Sequence, residues 1–316
     1  MTVDTKIINI SLANPRGFCA GVDRAIQIVK LALKKYGAPI YVRHEVVHNK
    51  YVIEELRNEG AIFVDEIKQI PSGSHVIFSA HGVSKLVKQQ SRDHNLIPID
   101  ATCPLVTKVH KEVNKMYDEN YHIIMIGHQG HPEVEGTMGQ IDQNSPNASI
   151  SLVQDLNDVE QLNIHADKNI SYVSQTTLSL DDTDKIIKAL KKKYPRIIGP
   201  KTSDICYATQ NRQDVIKKML ADHDLIIIVG SVNSSNSNRL VDIAKENNVK
   251  SFLIDNMDMF DPACLQNKKK VGISAGASAP EVLVQQLIKK IKQYTEVNLV
   301  ELDGMEEKVT FKLPAF

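Results

Sequence analysis

The chain has little cysteine and no excess of either charge. Its four cysteines, Cys19, Cys103, Cys206 and Cys264, are too few and too widely separated for a disulfide ladder or a local zinc finger, and they point to a reducing compartment. Lysine plus arginine balances aspartate plus glutamate at 38 each, which leaves no basic footprint for nucleic acid or an anionic membrane. No apolar run approaches the ~18 residues that span a bilayer, and the opening MTVDTK lacks a charged and then apolar signal pattern. A cytoplasmic protein is expected, with neither nucleic acid nor membrane as partner. There is no GxxxxGK[ST] loop and no glycine-rich dinucleotide fingerprint, so neither nucleotide chemistry nor a resident flavin or nicotinamide is indicated.

What is present is a repeat. Cys19, Cys103 and Cys206 stand about 100 residues apart, the usual size of a domain, and each lies in a short polar loop before an amphipathic helix. After each comes an apolar strand, a polar turn, further strands and a second polar turn. In the first copy Val22, Ile26, Val29 and Leu33 fall at helical spacing and Gly37 ends the helix. In the second, Pro104 suits a helix's first turn, and Val106, Val109, Val113 and Met116 share a face. The fold class expected is α/β: three similar α/β domains around a rough threefold axis, with parallel or mixed sheets covered by helices. Their expected bounds are 7–101 with Cys19, 102–203 with Cys103 and 204–295 with Cys206. The tail 296–316 reads as two short strands that return to the first domain. Three thiols meeting on the axis, with no fourth cysteine in register, suit a metal centre with one open position. Cys264 follows a Pro-Ala turn out of register and reads as a small buried hydrophobe.

The polar turns carry the rest of the chemistry. HEVVHN offers His44 and His48, either of which could instead be a core histidine. SAHG places His81 beside a glycine that permits close approach. HQGHPEVEGT concentrates His128, His131, Glu133 and Glu135 in a glycine-flanked turn; a solvated loop is the alternative. SVNSSNSN supplies Ser234, Ser235, Asn236 and Asn238, SAGASAP adds Ser278, and the pair Thr176-Thr177 marks another turn. Hydroxyls and amides at a helix N-terminus make an anion site, while ordinary capping would account for one of them but hardly five. An open metal ringed by neutral donors, histidines and a carboxylate suits a small phosphate or diphosphate ester.

The segments NPRGFCAGVDRAI, VRHEVVHN, FSAHGVS, DATCPLVTKVH, GHQGHPEVEGTMGQ, SQTTLS, DICYATQNRQ, SVNSSNSNRL and SAGASAPE closely resemble the signatures of the 4-hydroxy-3-methylbut-2-enyl diphosphate reductase (LytB) family, over nearly the whole chain. The resemblance implies a trefoil around one 4Fe-4S cluster per chain. Cys19, Cys103 and Cys206 would ligate three irons, leaving the fourth open. It further implies that His48, His81, Ser234, Ser235, Asn236 and Ser278 hold the diphosphate, with His131 beside them. Glu133 would deliver protons and Thr176 would position the substrate alcohol. The implied reaction is the last step of the methylerythritol phosphate route, giving isopentenyl and dimethylallyl diphosphate. Electrons would come from a flavodoxin or ferredoxin with its reductase. Two other classes stay open: a zinc enzyme or non-redox hydro-lyase acting on a small phosphate ester through the same thiolates, and a non-catalytic binding protein.

Overall fold

The computed structural model describes residues 7–142, 149–165 and 167–315. Among these, twelve strands pair, always in parallel, into three sheets. The strands are β1 (Ile8–Leu12), β2 (Ile40–Arg43), β3 (Ala61–Val64), β4 (His75–Phe78), β5 (Ile97–Asp100), β6 (His122–Ile126), β7 (Ser149–Val153), β8 (Ile170–Ser174), β9 (Leu225–Val229), β10 (Lys250–Ile254), β11 (Lys270–Ala275) and β12 (Val297–Glu301). The sheet orders are β3-β2-β4-β5, β7-β6-β8 and β10-β9-β11-β1-β12. Each is the same design, with the first strand after the cysteine's helix at the centre, the next on one side and the third on the other.

The fourth position explains how the copies are cut. β5 lies beside β4, β1 lies beside β11, and an isolated parallel bridge sets Ile198 beside Ser171 of β8. The strand that leads into each cysteine therefore completes the preceding sheet. The expected first domain, 7–101, is corrected at its start: Ile8–Leu12 pairs with β11, from Asn9↔Lys270 to Leu12↔Ile273, and belongs to the third sheet. The tail contributes one strand, β12, which pairs with β1, and residues 302–315 form neither helix nor strand. By compactness the chain divides in two. One unit comprises residues 7–22, His48–Glu55 and Tyr207–Thr310, with the five-stranded sheet. The other comprises the described residues of Asp23–Val47 and Leu56–Cys206 and residues 311–315, with the remaining two sheets.

The continuous apolar run LIIIV of β9 is buried throughout because helices cover both faces. Leu225, Ile227 and Val229 pack with Leu283, Leu287 and Ile291 on one face, while Ile226 and Ile228 meet Val215, Ile216, Leu240 and Ile243 on the other. The strand alternation of period two decides which side chain goes where. The helical faces follow the 3.6-residue period. Val106, Val109, Val113 and Met116 are all buried in the helix Pro104–Asp118. In the helix Ala20–Tyr36, Ile26 and Val29 are buried as expected. The fully buried stripe also runs through Ala25, Ile28 and Ala32, whose small members allow close approach, and Val22 and Leu33 are only half-buried.

Candidate functional site

The three cysteines in register occupy equivalent places. Each directly precedes a helix: Ala20–Tyr36, Pro104–Asp118 and Tyr207–Met219. Each also donates its N–H to the loop that follows the third strand of the preceding sheet, the third sheet in the case of Cys19. Cys19 donates to the Ala277 carbonyl at 3.1 Å, Cys103 to Ala80 at 2.9 Å and Cys206 to Thr176 at 3.0 Å. All are partly buried and none is in a disulfide. A helix N-terminus favours negative charge, so a thiolate ligand suits each position. Gly17 is required beside the first: its φ is +68°, and a Cβ there would stand 3.1 Å from the Ala279 carbonyl oxygen. Next to two of the thiols, Ala20 N–H reaches the Tyr207 hydroxyl at 3.4 Å. Cys264 differs: it sits in the short turn Pro262–Leu265 against the core of the five-stranded sheet, and burial pushes its thiol up.

Glu133 is a buried carboxyl. Thr176 binds it twice, N–H to Oε1 at 2.6 Å and hydroxyl to Oε2 at 2.9 Å. Burial pushes its pKa up to about 7 against these two bonds, and the charge of Asp204 adds to the rise. The expected turn at HQGHPEVEGT is a helix, Pro132–Met138, because Pro132 fits the first position and the His131 ring caps it, Nδ1 accepting from Glu133 N–H at 3.2 Å. His131 meets the His81 ring edge to face, with centroids 5.8 Å apart. His128 and Glu135 are exposed, and His44, at φ 60°, turns to Asp65 at 3.3 Å. Two buried groups were missed from the sequence. Asp204 accepts from Ser174 N–H at 3.1 Å and pairs with Lys108 at 3.3 Å; burial raises its pKa. His110 fills the space where a Cβ on Gly82 would stand 2.6 Å from its Cε1, and burial drives its pKa down to about 4.

The other polar residues gather at the carboxyl ends of β9 and β11, the place where open parallel sheets bind ligands. Ser234 caps the helix Ser235–Glu246, accepting from Ser237 N–H at 3.3 Å, so capping accounts for this serine. It does not account for Asn236. That side chain is buried at 3% exposure, yet neither its Oδ1 nor its Nδ2 has a partner, a costly arrangement unless a ligand supplies one. Ser278 donates its hydroxyl to the His48 carbonyl at 2.8 Å, tying these loops together. Asn49, also missed from the sequence, is fully buried; its Oδ1 accepts from Val52 N–H at 3.1 Å while its Nδ2 has no partner. Gly230 and Gly276 admit Ser237, whose Oγ lies within 2.3 Å and 2.0 Å of where their Cβ atoms would be.

The family model described as LytB protein matches residues 10–292. The chain belongs to that family. Among curated LytB relatives, the 4-hydroxy-3-methylbut-2-enyl diphosphate reductase of Nitrosomonas europaea is 54% identical over 314 residues, 98% of this chain and 97% of that one. The enzyme of the same name from Methylococcus capsulatus is 55% identical over 307 residues, 97% of each. The solved structure of E-1-hydroxy-2-methyl-but-2-enyl-4-diphosphate reductase from Plasmodium falciparum superposes with a TM-score of 0.91 at 39% identity, covering 98% of this chain and 96% of that one. A second structure, of (E)-4-hydroxy-3-methyl-but-2-enyl diphosphate reductase, the terminal enzyme of the non-mevalonate pathway, gives 0.64 at 31% identity, covering 91% and 100%. The α/β class with three similar parallel-sheet units is borne out.

LytB membership brings an iron–sulfur cofactor with it, and the residues here fit one: three soft thiol donors on equivalent helix starts. Among the described residues no three His, Cys, Asp or Glu side chains are grouped to hold a single metal ion.

Proposed function

We propose that this chain performs the reductive dehydroxylation of (E)-4-hydroxy-3-methylbut-2-enyl diphosphate, with Cys19, Cys103 and Cys206 each ligating one iron of a 4Fe-4S cluster and the fourth iron left open. The reductase activity, the terminal step of the non-mevalonate route, is that of the named relatives. They are reductases, so the non-redox and binding-protein alternatives are set aside. The reaction takes two electrons and two protons, breaks one allylic C–O bond, forms one C–H bond and releases water. When bound, the cluster supplies low-potential electrons and a Lewis-acidic iron for the departing hydroxyl. A one-electron carrier, flavodoxin or ferredoxin with its reductase, is the proposed source, because the sequence has no flavin or nicotinamide fingerprint.

The chain's own residues bind and move protons. Asn236, with both amide atoms unpartnered, is the leading donor to the diphosphate, joined by the hydroxyls of Ser234 and Ser235, by Ser278 once its hydroxyl turns from the His48 carbonyl, by His48 and His81, and by the N-terminus of the helix Ser235–Glu246. His131 stands beside His81 and caps the helix that carries the acid. The observation that carries the reading is Glu133: a buried carboxyl held by Thr176 through both oxygens, which burial pushes up to about 7 so that it keeps a proton to give near neutrality. Thr176, having donated its hydroxyl hydrogen to Glu133, retains lone pairs on that oxygen to accept from the substrate alcohol. Proton delivery to either end of the reduced allyl group yields isopentenyl or dimethylallyl diphosphate.

The test is anaerobic purification followed by iron, sulfide and zinc analysis, an absorption spectrum, and turnover of the diphosphate with a chemical reductant. Iron and sulfide in equal amounts, with reductase turnover, is the expected result. A colourless zinc protein without turnover would overturn the reading.

A further inference from the structure

Arg212 is the largest fully buried side chain among the described residues, and the reaction described above does not use it. All five of its N–H donors are taken up. Nε and Nη2 donate to the Gly17 carbonyl at 3.1 and 2.6 Å, and Nη1 donates to Ala208 at 2.8 Å. Nη1 and Nη2 also meet Glu307 Oε1 and Oε2 at 3.0 and 3.3 Å, and Nη2 reaches Phe18 O at 3.4 Å. The guanidinium therefore joins three things: the two residues before Cys19, the first turn of the helix that follows Cys206, and the C-terminal segment.

That segment forms no helix or strand and is mostly exposed, yet Glu307 is turned inward at 13% side-chain exposure and also accepts from Asn211 Nδ2 at 2.9 Å. Three further contacts press the same stretch onto the Cys19 loop. Leu302 N–H donates to the Leu12 carbonyl at 2.9 Å, and Arg16 pairs with Glu301 at 3.1 Å. At Gly304 a Cβ would lie 2.0 Å from the Asn14 carbonyl oxygen. A buried guanidinium needs a carboxylate, because removing the partner of a buried ion pair leaves a charge with nothing to compensate it. An irregular segment held at so many points onto one loop is doing something for that loop.

We propose that Glu307 and Arg212 are positioning residues for Cys19: the C-terminal segment latches the Gly17-Phe18-Cys19 backbone through their ion pair and so sets how long the chain retains its cluster. The inference rests on Cys19 being a cluster ligand. Groups that orient a metal ligand without touching the metal govern affinity by about 10- to 100-fold.

The experiment compares the reconstituted parent protein with Glu307→Ala, Glu307→Gln, Glu307→Asp, Glu306→Ala and Cys19→Ser, without oxygen. It measures iron per chain and the half-time of iron loss to an iron(II) chelator, together with the melting temperature of each metal-free protein. Glu307→Ala is expected to lose iron ~10- to 100-fold faster. Glu307→Asp, which keeps the charge, should recover most of the retention, and Glu307→Gln should not. Glu306, exposed and paired with Lys308, should be silent. Iron loss from Glu307→Ala at the parent rate overturns the proposal, as does equal acceleration in Glu306→Ala. Should Glu307→Ala fail to fold, the Asp and Gln variants decide: equal rates overturn the latch, and slower loss from Asp upholds it. Full iron retention in Cys19→Ser would instead remove the ligand assignment beneath it.

Discussion

Thr176 grips Glu133 by two hydrogen bonds, 2.6 Å from its N–H and 2.9 Å from its hydroxyl, and with its carbonyl it holds the N–H of Cys206 at 3.0 Å. One residue thus fixes both the buried Glu133 carboxyl and the backbone of Cys206. Its position in the loop after β8 matches those of Ala80 after β4 and Ala277 after β11, which bind Cys103 and Cys19 in the same way. The repeat supplies three equivalent sockets, and only this one carries a side chain that also reaches a buried carboxyl.

Thr176→Val keeps the volume and the backbone bond but removes the hydroxyl bond. Hydrogen bonds to the ionised carboxyl lower its pKa, so losing one raises it further above about 7. Turnover that needs the protonated acid falls as pH rises through that pKa. The alkaline limb of the kcat profile is therefore expected to move to higher pH in the variant, measured with excess chemical reductant. An unmoved limb would mean that Glu133 does not set it.

The register of the thiols was legible because a repeat writes the same pattern three times, and so were the buried faces of the helices, which depend on local periodicity. The place of Ile8–Leu12 was not. A strand's choice of a parallel partner is a long-range matter, and β1 has its partner at the far end of the chain. The helix at Pro132 was hidden by a glycine- and histidine-rich composition, although Pro132 after a capping His131 is a helix-start signal. Asp204, Asn49 and His110 could not be found from sequence at all, since each is singled out only by burial that tertiary packing imposes.

Asn236→Ala should separate ligand binding from helix capping by the sign of its effect on stability. The amide is buried and unpartnered in the free protein, so its removal should leave the melting temperature unchanged or higher. Substrate affinity should fall by about 1.5–3 kcal/mol, or roughly 10- to 150-fold in Kd, the worth of a hydrogen bond to a charged group. Calorimetry or substrate-induced spectral change would report the affinity. A variant that melts much lower and binds normally would return Asn236 to a structural role.

Single Ser replacements of Cys19, Cys103 and Cys206 should each lower bound iron and abolish reduction, because each thiol occupies the same socket after the third strand of the preceding sheet. Cys264→Ala should keep both, its thiol being packed against the core of the five-stranded sheet. Iron analysis and turnover on the four variants suffice. A Cys103 variant with full iron and normal turnover would break the threefold assignment.

Glu133→Gln tests proton delivery on its own. The amide keeps the size of the side chain, and its oxygen can still accept from Thr176, but the transferable proton is gone. The variant is expected to assemble its cluster and bind substrate with similar affinity, and to reduce it at least ~100-fold more slowly, the usual contribution of a general acid. A second, independent readout comes from stability. In the folded protein the carboxyl holds its proton up to about 7, against an ordinary value of 4.5, so the native state binds more protons than the unfolded chain in that interval. Stability linked to this group is therefore present below 4.5 and lost as pH rises through about 7, by about 3 kcal/mol in all. Glutamine has no such loss, so the melting temperature of the variant relative to the parent should climb between those two pH values. Parallel melting curves across the interval would show that Glu133 is already ionised in the fold, and normal turnover would place the proton donor elsewhere.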